Sequence, residues 1–166
     1  MPNGSSVATQ RTGRPMTMAY AIPPVNPFLG LLPVELWQRQ KDYFSYTAEF
    51  LPLSAGATQQ TDVNIQSDAD FLIMVGTRQV TNTANTTFFA TAPFLIQLLD
   101  AGSGRLLMDK FVHIENIVPQ ATQPFYMPFP KLIYAGAVLS SRLQNLDSVN
   151  AYNVRITYHG FKIFPY

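Results

Sequence analysis

Tyr152-Asn-Val-Arg-Ile-Thr-Tyr-His-Gly-Phe-Lys-Ile163 is the stretch whose reading decides the fold. Tyr152, Val154, Ile156 and Tyr158 fall on one side, with Asn153, Arg155, Thr157 and His159 on the other. A period of two is a strand with one face on a core and the other in water. After Gly160 the apolar residues move to odd numbers, Phe161 and Ile163. A phase change at a glycine predicts a β-bulge or bend there.

The same pattern extends back through the chain. Phe44, Tyr46, Ala48 and Phe50 alternate with Tyr43, Ser45, Thr47 and Glu49, a half-buried strand ending at Pro52. Residues 58–66 alternate weakly, with Val63 and Ile65 inward, and residues 67–70 form a turn. Residues 71–75 (Phe-Leu-Ile-Met-Val) and 94–99 (Phe-Leu-Ile-Gln-Leu-Leu) are apolar on both sides. Such strands lie centrally and are covered on both sheet faces. Residues 81–92, rich in Thr, Asn and Ala, read as a polar loop or exposed edge. Asp100-Ala-Gly-Ser-Gly104 is a tight reversal, which makes a hairpin of 94–99 and 105–113. Pro119, Pro124, Pro128 and Pro130 make 114–130 an irregular crossing with one edge strand. Ala137, Val138, Leu139, Leu143 and Leu146 mark a further strand, turning over 145–150. Seven or eight short strands separated by turn signals predict an all-β antiparallel sandwich or barrel, with a jelly roll-like sandwich the leading candidate.

A different composition precedes this body. Residues 1–34 hold six of the 13 prolines, no Asp or Glu, and only Arg11 and Arg14 as charges. Proline at that density prevents a helix or a central strand. Yet the segment is too apolar for a disordered tail. It reads as an extended arm that packs on its own body or on a neighbouring subunit. Pro33, Glu35, Arg39 and Lys41 are placed for a short helix over 33–42, with Leu36 and Trp37 apolar. The expected organisation is an arm with that helix over 1–42 and a sandwich over 43–166. Phe28, Leu29, Leu31, Leu32 and Trp37 are the candidate protein-interaction residues.

Composition narrows the function. Charged residues are 13% of the chain, about half of the roughly 25% usual in soluble domains. A surface so poor in charge predicts cover by other subunits, hence a homo-oligomer, with a trimer the first guess. A net charge of +1 and two arginines in the arm give no field for nucleic acid. The absence of cysteine excludes disulfides, thiolate metal sites and a cysteine nucleophile. No run of 18 apolar residues is present to span a membrane, and the N-terminus lacks the pattern of a signal peptide.

Catalytic constellations are equally sparse. His113 and His159 are far apart in sequence, and only Glu115 lies close to either. A cupin-type metal site needs a cluster. Asp62, Asp68 and Asp70 lack the spacing of a calcium loop, and no Gly-x-Ser-x-Gly elbow occurs. Asp100-Ala-Gly-Ser-Gly-Arg105 lacks the Lys-Ser/Thr ending of a phosphate loop. The expectation is a non-enzyme without cofactor. Phe125, Tyr126, Phe129, Tyr134 and Tyr166, aromatic residues near loops, keep a carbohydrate- or receptor-binding role open.

Three segments carry a resemblance: Asp68-Ala-Asp-Phe-Leu-Ile73, the hairpin from Phe94 to Leu107, and Val154-Arg-Ile-Thr-Tyr-His-Gly-Phe-Lys-Ile163. Over about residues 60–164 the chain resembles small β-sandwich virion proteins of tailed bacteriophages, of the capsid-decorating (cement) or head–tail collar type. The resemblance implies a jelly-roll-like fold, no catalysis, and several copies docked on a major capsid or connector protein. Localisation in the virion, after assembly in the host cytoplasm, follows from it.

Overall fold

The computed structural model describes residues 36, 38–84, 92–120 and 125–165. Nine strands follow in order: β1 (Lys41–Leu53), β2 (Thr58–Asn64), β3 (Asp70–Asn82), β4 (Phe94–Asp100), β5 (Arg105–Leu106), β6 (Val112–His113), β7 (Phe125–Ile133), β8 (Val138–Asn145) and β9 (Tyr152–Ile163). One sheet has the order β1-β9-β3-β7; the other runs β2-β8-β4-β5, with β6 also on β4. All seven ladders are antiparallel. Apart from the β4-β5-β6 stretch, each strand crosses to the opposite sheet from its predecessor, the winding of a jelly roll. The protein is an all-β sandwich.

The alternating residues meet between the sheets. Tyr46, Ala48 and Phe50 from β1, Val63 from β2, and Tyr152, Val154, Ile156 and Tyr158 from β9 join one buried cluster with Phe94, Ile96 and Leu98. Inside it the Tyr158 hydroxyl bonds the Ser141 hydroxyl at 2.7 Å, so the buried phenol has a partner. Burial holds that phenol well above its ordinary range.

The phase change at Gly160 has a different origin from the one expected. β9 keeps its parity throughout, paired continuously with β1 from Val154 to Ile163. The bulge lies in the neighbour. Ile73 pairs with Gly160 and Val75 with His159, leaving Met74 as the extra residue of β3. A Cβ on Gly160 would sit 1.8 Å from the Leu72 carbonyl oxygen, so the bulged backbone occupies the space of a side chain. Phe161 and Ile163 therefore lie on the outer face, where Leu72, Met74 and Ile163 form a second buried cluster flanked by Leu36, Val75, Leu132 and Phe161. Lys162 continues inward and is buried.

The bulge also changes the parity of β3. Phe71 and Ile73 face the core before it; Arg78 and Val80, opposite Ile156 and Val154, do so after it. The strand is thus longer than the apolar run 71–75, and reaches Asn82 by pairing along β9 to Tyr152.

Other boundaries moved for identifiable reasons. β1 begins at Lys41 because Lys41 and Asp42 pair with Ile163 and Lys162, so these two residues are strand rather than the end of a helix. Of the helix expected over 33–42, residues 33–35 and 37 lie outside the described residues, and Leu36 is helical. At the other end β1 passes Pro52 by a register shift and resumes at Leu53, opposite Tyr152. The return arm 105–113 is two short pairings, not one strand. Between them Gln97 donates its side-chain amide to the Met108 carbonyl at 3.4 Å in place of a ladder bond. β7 lies at the end of its sheet. Its ladder steps from Tyr126 to Lys131, skipping the segment with Pro128 and Pro130, which lack ladder donors.

Candidate functional site

The two histidines, His113 and His159, carry the side chains best suited to acid–base chemistry. His159 lies on the outer face of the four-stranded sheet, because odd residues of β9 point that way. Its Nδ1 is 2.8 Å from the Ser45 hydroxyl and 2.9 Å from the Tyr43 hydroxyl; its Nε2 is 3.0 Å from the Thr77 hydroxyl. Tyr43 stacks on the ring at 6.3 Å. Desolvation holds the imidazole below its ordinary 6.5, so the neutral ring is favoured. No carboxylate orients it among its bonded partners, and Ser45 bonds the same nitrogen as Tyr43. This is a hydroxyl cage that fixes a neutral ring across β1, β9 and β3.

His113 and Glu115 are close in sequence but have separate tasks. His113 caps a 3-10 turn, Ile114–Asn116, with Nδ1 accepting from the Glu115 amide at 3.4 Å. The Glu115 carboxylate instead takes the Arg78 guanidinium, whose side chain is 1% exposed against 30% for Glu115. It also accepts from the Ala92 amide at 3.2 Å, and Arg78 donates to the Val118 carbonyl at 3.2 Å. Burial lowers the Arg78 pKa, and Glu115 opposes that shift. The Met74 bulge is what puts an arginine inside the sandwich, and the ion pair fastens the crossing segment beneath it. Arg78 was not legible as an inward residue, since its immediate neighbours Thr77 and Gln79 give no alternation.

The aspartates are likewise dispersed. Asp68 holds the buried Lys162 ammonium at 2.7 and 2.9 Å, and Gln66 accepts from the same amine. That amine also lies 4.6 Å from the Phe44 ring centre. Bonding to Lys162 lowers the Asp68 pKa. Asp70 accepts from the Ala135 amide at 2.9 Å, and Asp62 from Gln60 at 3.0 Å. Asp147 accepts from the amides of Val149 and Asn150, from the Asn150 side chain and from the Tyr152 hydroxyl. Those bonds depress its pKa strongly, while burial and Asp147 push Tyr152 up to about 12. Among the described residues no three His, Asp or Glu side chains converge as a metal site. No described helix is long and apolar enough to cross a membrane.

The five interaction residues predicted from the sequence, Phe28, Leu29, Leu31, Leu32 and Trp37, lie outside the described residues. Leu36, one residue before Trp37, is described, and it packs against the outer-face cluster of Leu72, Met74 and Ile163. Two sequence signals pointed to that cluster: the doubly apolar run 71–75 and the switch to Phe161 and Ile163. Leu36 therefore sits on the outer, apolar corner of the four-stranded sheet.

No protein-family model matches the chain. No curated protein matches it either. Among solved structures it is similar to the VP2 subviral particle of infectious bursal disease virus, at 11% identity and a TM-score of 0.32, covering 76% of this chain and 38% of that one. A second similarity is to the structure of infectious bursal disease virus Gx strain, at 13% identity and a TM-score of 0.29, covering 76% and 37%. The chain thus spans well under half of either. The fold rests on the strand order given above, not on this likeness.

Proposed function

We propose that this chain is a non-enzymatic virion structural protein, carried in several copies and docked on a capsid or connector through residues 1–42. Within that class, a cement or collar role across subunit boundaries of a tailed phage fits the resemblance of the hairpin and the closing strand. The observation that carries the reading is Leu36 seated on the outer cluster of Leu72, Met74 and Ile163. That seat supports reading the apolar arm and the outer sheet corner as parts of one docking surface. The histidines, Arg78 and the strongly bonded aspartates support it further, since each is used to hold the scaffold. A homo-oligomer, with a trimer first, belongs to the same proposal.

The test is co-sedimentation with particles that lack the protein. Full-length chain is expected to pellet with them, and a chain lacking residues 1–32 to remain folded but unbound. Burying Phe28 and Leu29 would contribute about 1.5–3 kcal/mol each before ordering costs. Replacing both with Ser should therefore weaken attachment far more than about 1 M salt, where the screening length is about 3 Å. Wild-type attachment by the truncated chain would overturn the arm as the anchor. Sedimentation velocity of the free protein tests the oligomer separately.

A further inference from the structure

Between the β4–β5 turn and the β7–β8 turn lies an open notch of about 290 Å³ lined by Asp100, Gly102, Ser103, Tyr134 and residues 135–137. Its floor is low because Gly102, Ala135, Gly136 and Ala137 carry almost no side chain. Both walls are fixed. Ala137 donates to the Tyr134 carbonyl at 3.1 Å and Ala101 to Val138 at 2.8 Å, while Asp70 holds the Ala135 amide. Gly136 supplies the positive φ of 74° that the second turn requires. Gly102 has no room for a Cβ, which would meet the Ala137 Cβ at 2.7 Å.

Two groups give the notch a chemistry. Tyr134 is 63% exposed although it is large and aromatic. Asp100 is buried, at 3% exposure. Its oxygens accept from the Ser103 amide at 3.3 Å and the Ser103 hydroxyl at 2.7 Å. An ionised carboxylate accepts at about four positions, so the two bonds leave acceptor capacity. A flat apolar ring beside a buried acceptor suits a ligand with an apolar face and hydroxyl donors. The lone carboxylate repels anions, and no second one is present in the lining to hold a cation. At about 290 Å³ the notch is at the bottom of the usual 300–1,000 Å³ range for ligand sites, which is room for one ring.

We propose that this notch is a subsite for one neutral sugar ring, stacked on Tyr134 with hydroxyls donating to Asp100. The inference does not depend on attachment to a particle. A ligand of about twelve heavy atoms held on one open side binds in the millimolar range. Useful affinity would then come from several copies engaging one glycan surface together.

The test is saturation-transfer NMR on the full chain with D-glucose, D-galactose and N-acetyl-D-glucosamine at about 10 mM each, roughly the concentration such affinity requires. Transfer to at least one sugar is expected, abolished or cut about tenfold by Tyr134→Ala and kept within about threefold by Tyr134→Phe. In amide spectra the same sugar should shift Gly102, Ser103, Ala135 and Gly136 and leave the Val149 turn at the opposite end unmoved. No transfer to any of the three sugars overturns the proposal. So does transfer that Tyr134→Ala leaves unchanged, or shifts confined to other residues.

Discussion

Replacing Gly160 with alanine tests the Met74 bulge directly. The added Cβ would stand 1.8 Å from the Leu72 carbonyl oxygen, 2.8 Å from its carbon and 3.2 Å from the Ile73 Cα. All three obstacles are backbone, so no rotamer change relieves them. Overpacking by one methyl costs about 1–3 kcal/mol where side chains can give. Here β3 must move away from β9, losing one or two ladder bonds worth about 1 kcal/mol each. The expected cost is about 3–5 kcal/mol, a melting temperature lower by about 6–20 °C for a domain of this size. The control is Gly56→Ala, where φ is +63° and nothing lies within 4 Å of the new Cβ. It should cost only the 1–2 kcal/mol or so of a left-handed residue. Urea and thermal unfolding followed by circular dichroism measure both, with equal m-values required for the comparison. If Gly160→Ala loses no more than Gly56→Ala, the bulge does not fill the space opposite Gly160, and the argument about β3 parity is wrong.

Three further outcomes are expected. Glu115→Ala removes the carboxylate that faces the buried Arg78 charge and should cost about 2–4 kcal/mol by urea midpoint, toward the lower end for such pairs because Arg78 keeps the Val118 carbonyl and Glu115 is partly exposed; Arg78→Met with Glu115→Gln should recover most of it. Asp147 has a folded pKa far below its ordinary 3.8, so its contribution is complete above that value and is lost as the pH falls below it. Asp147→Asn should therefore flatten the acid limb of a stability–pH curve, and an unchanged limb would show that the 145–150 turn does not depend on that carboxylate. His159 should titrate below 6.5 by imidazole NMR, so its contribution is present above 6.5 and lost as the pH falls; Ser45→Ala with Thr77→Ala, which opens the cage to water, should move the midpoint back toward 6.5.

How much of this was legible in the chain depended on whether a residue's neighbours in sequence were also its informants. Tyr152, Val154, Ile156 and Tyr158 alternate on a strand with water on one side, and their burial could be read directly. The jelly-roll class followed from several such strands. Gly160 announced an irregularity, but its position on β3 was hidden, because a bulge is a property of a strand pair and only one partner carried the glycine. Arg78 was hidden for the same reason, since its inward orientation depends on Met74 four residues earlier. Polar strands such as Gly76 to Asn82 form because β9 is long enough to pair them, and no local pattern encodes that. Tyr134 was visible as an aromatic near a loop. That it borders a notch with Asp100 depends on two turns meeting, 34 residues apart.

The pairing of Lys41 with Ile163, and of the Phe164 amide with the Gln40 carbonyl at 3.1 Å, has a practical consequence for labelling. Any fluorophore, affinity tag or displayed peptide attached after residue 165 emerges beside Gln40 and Lys41, at the start of β1. If residues 1–42 dock the chain as proposed, such a fusion would crowd the docking surface. The 145–150 turn lies at the far end of the sandwich, and Val149 there is 81% exposed. Inserted sequence would break either turn at that end, since the Gly56 amide donates to the Asp147 carbonyl at 2.8 Å and the Asn145 side chain to the Ser54 carbonyl at 3.1 Å, so a label there belongs on a substituted Val149 side chain. A label on Val149 sits beyond the Tyr152 end of β9 and leaves the corner at Lys41 and Ile163 clear.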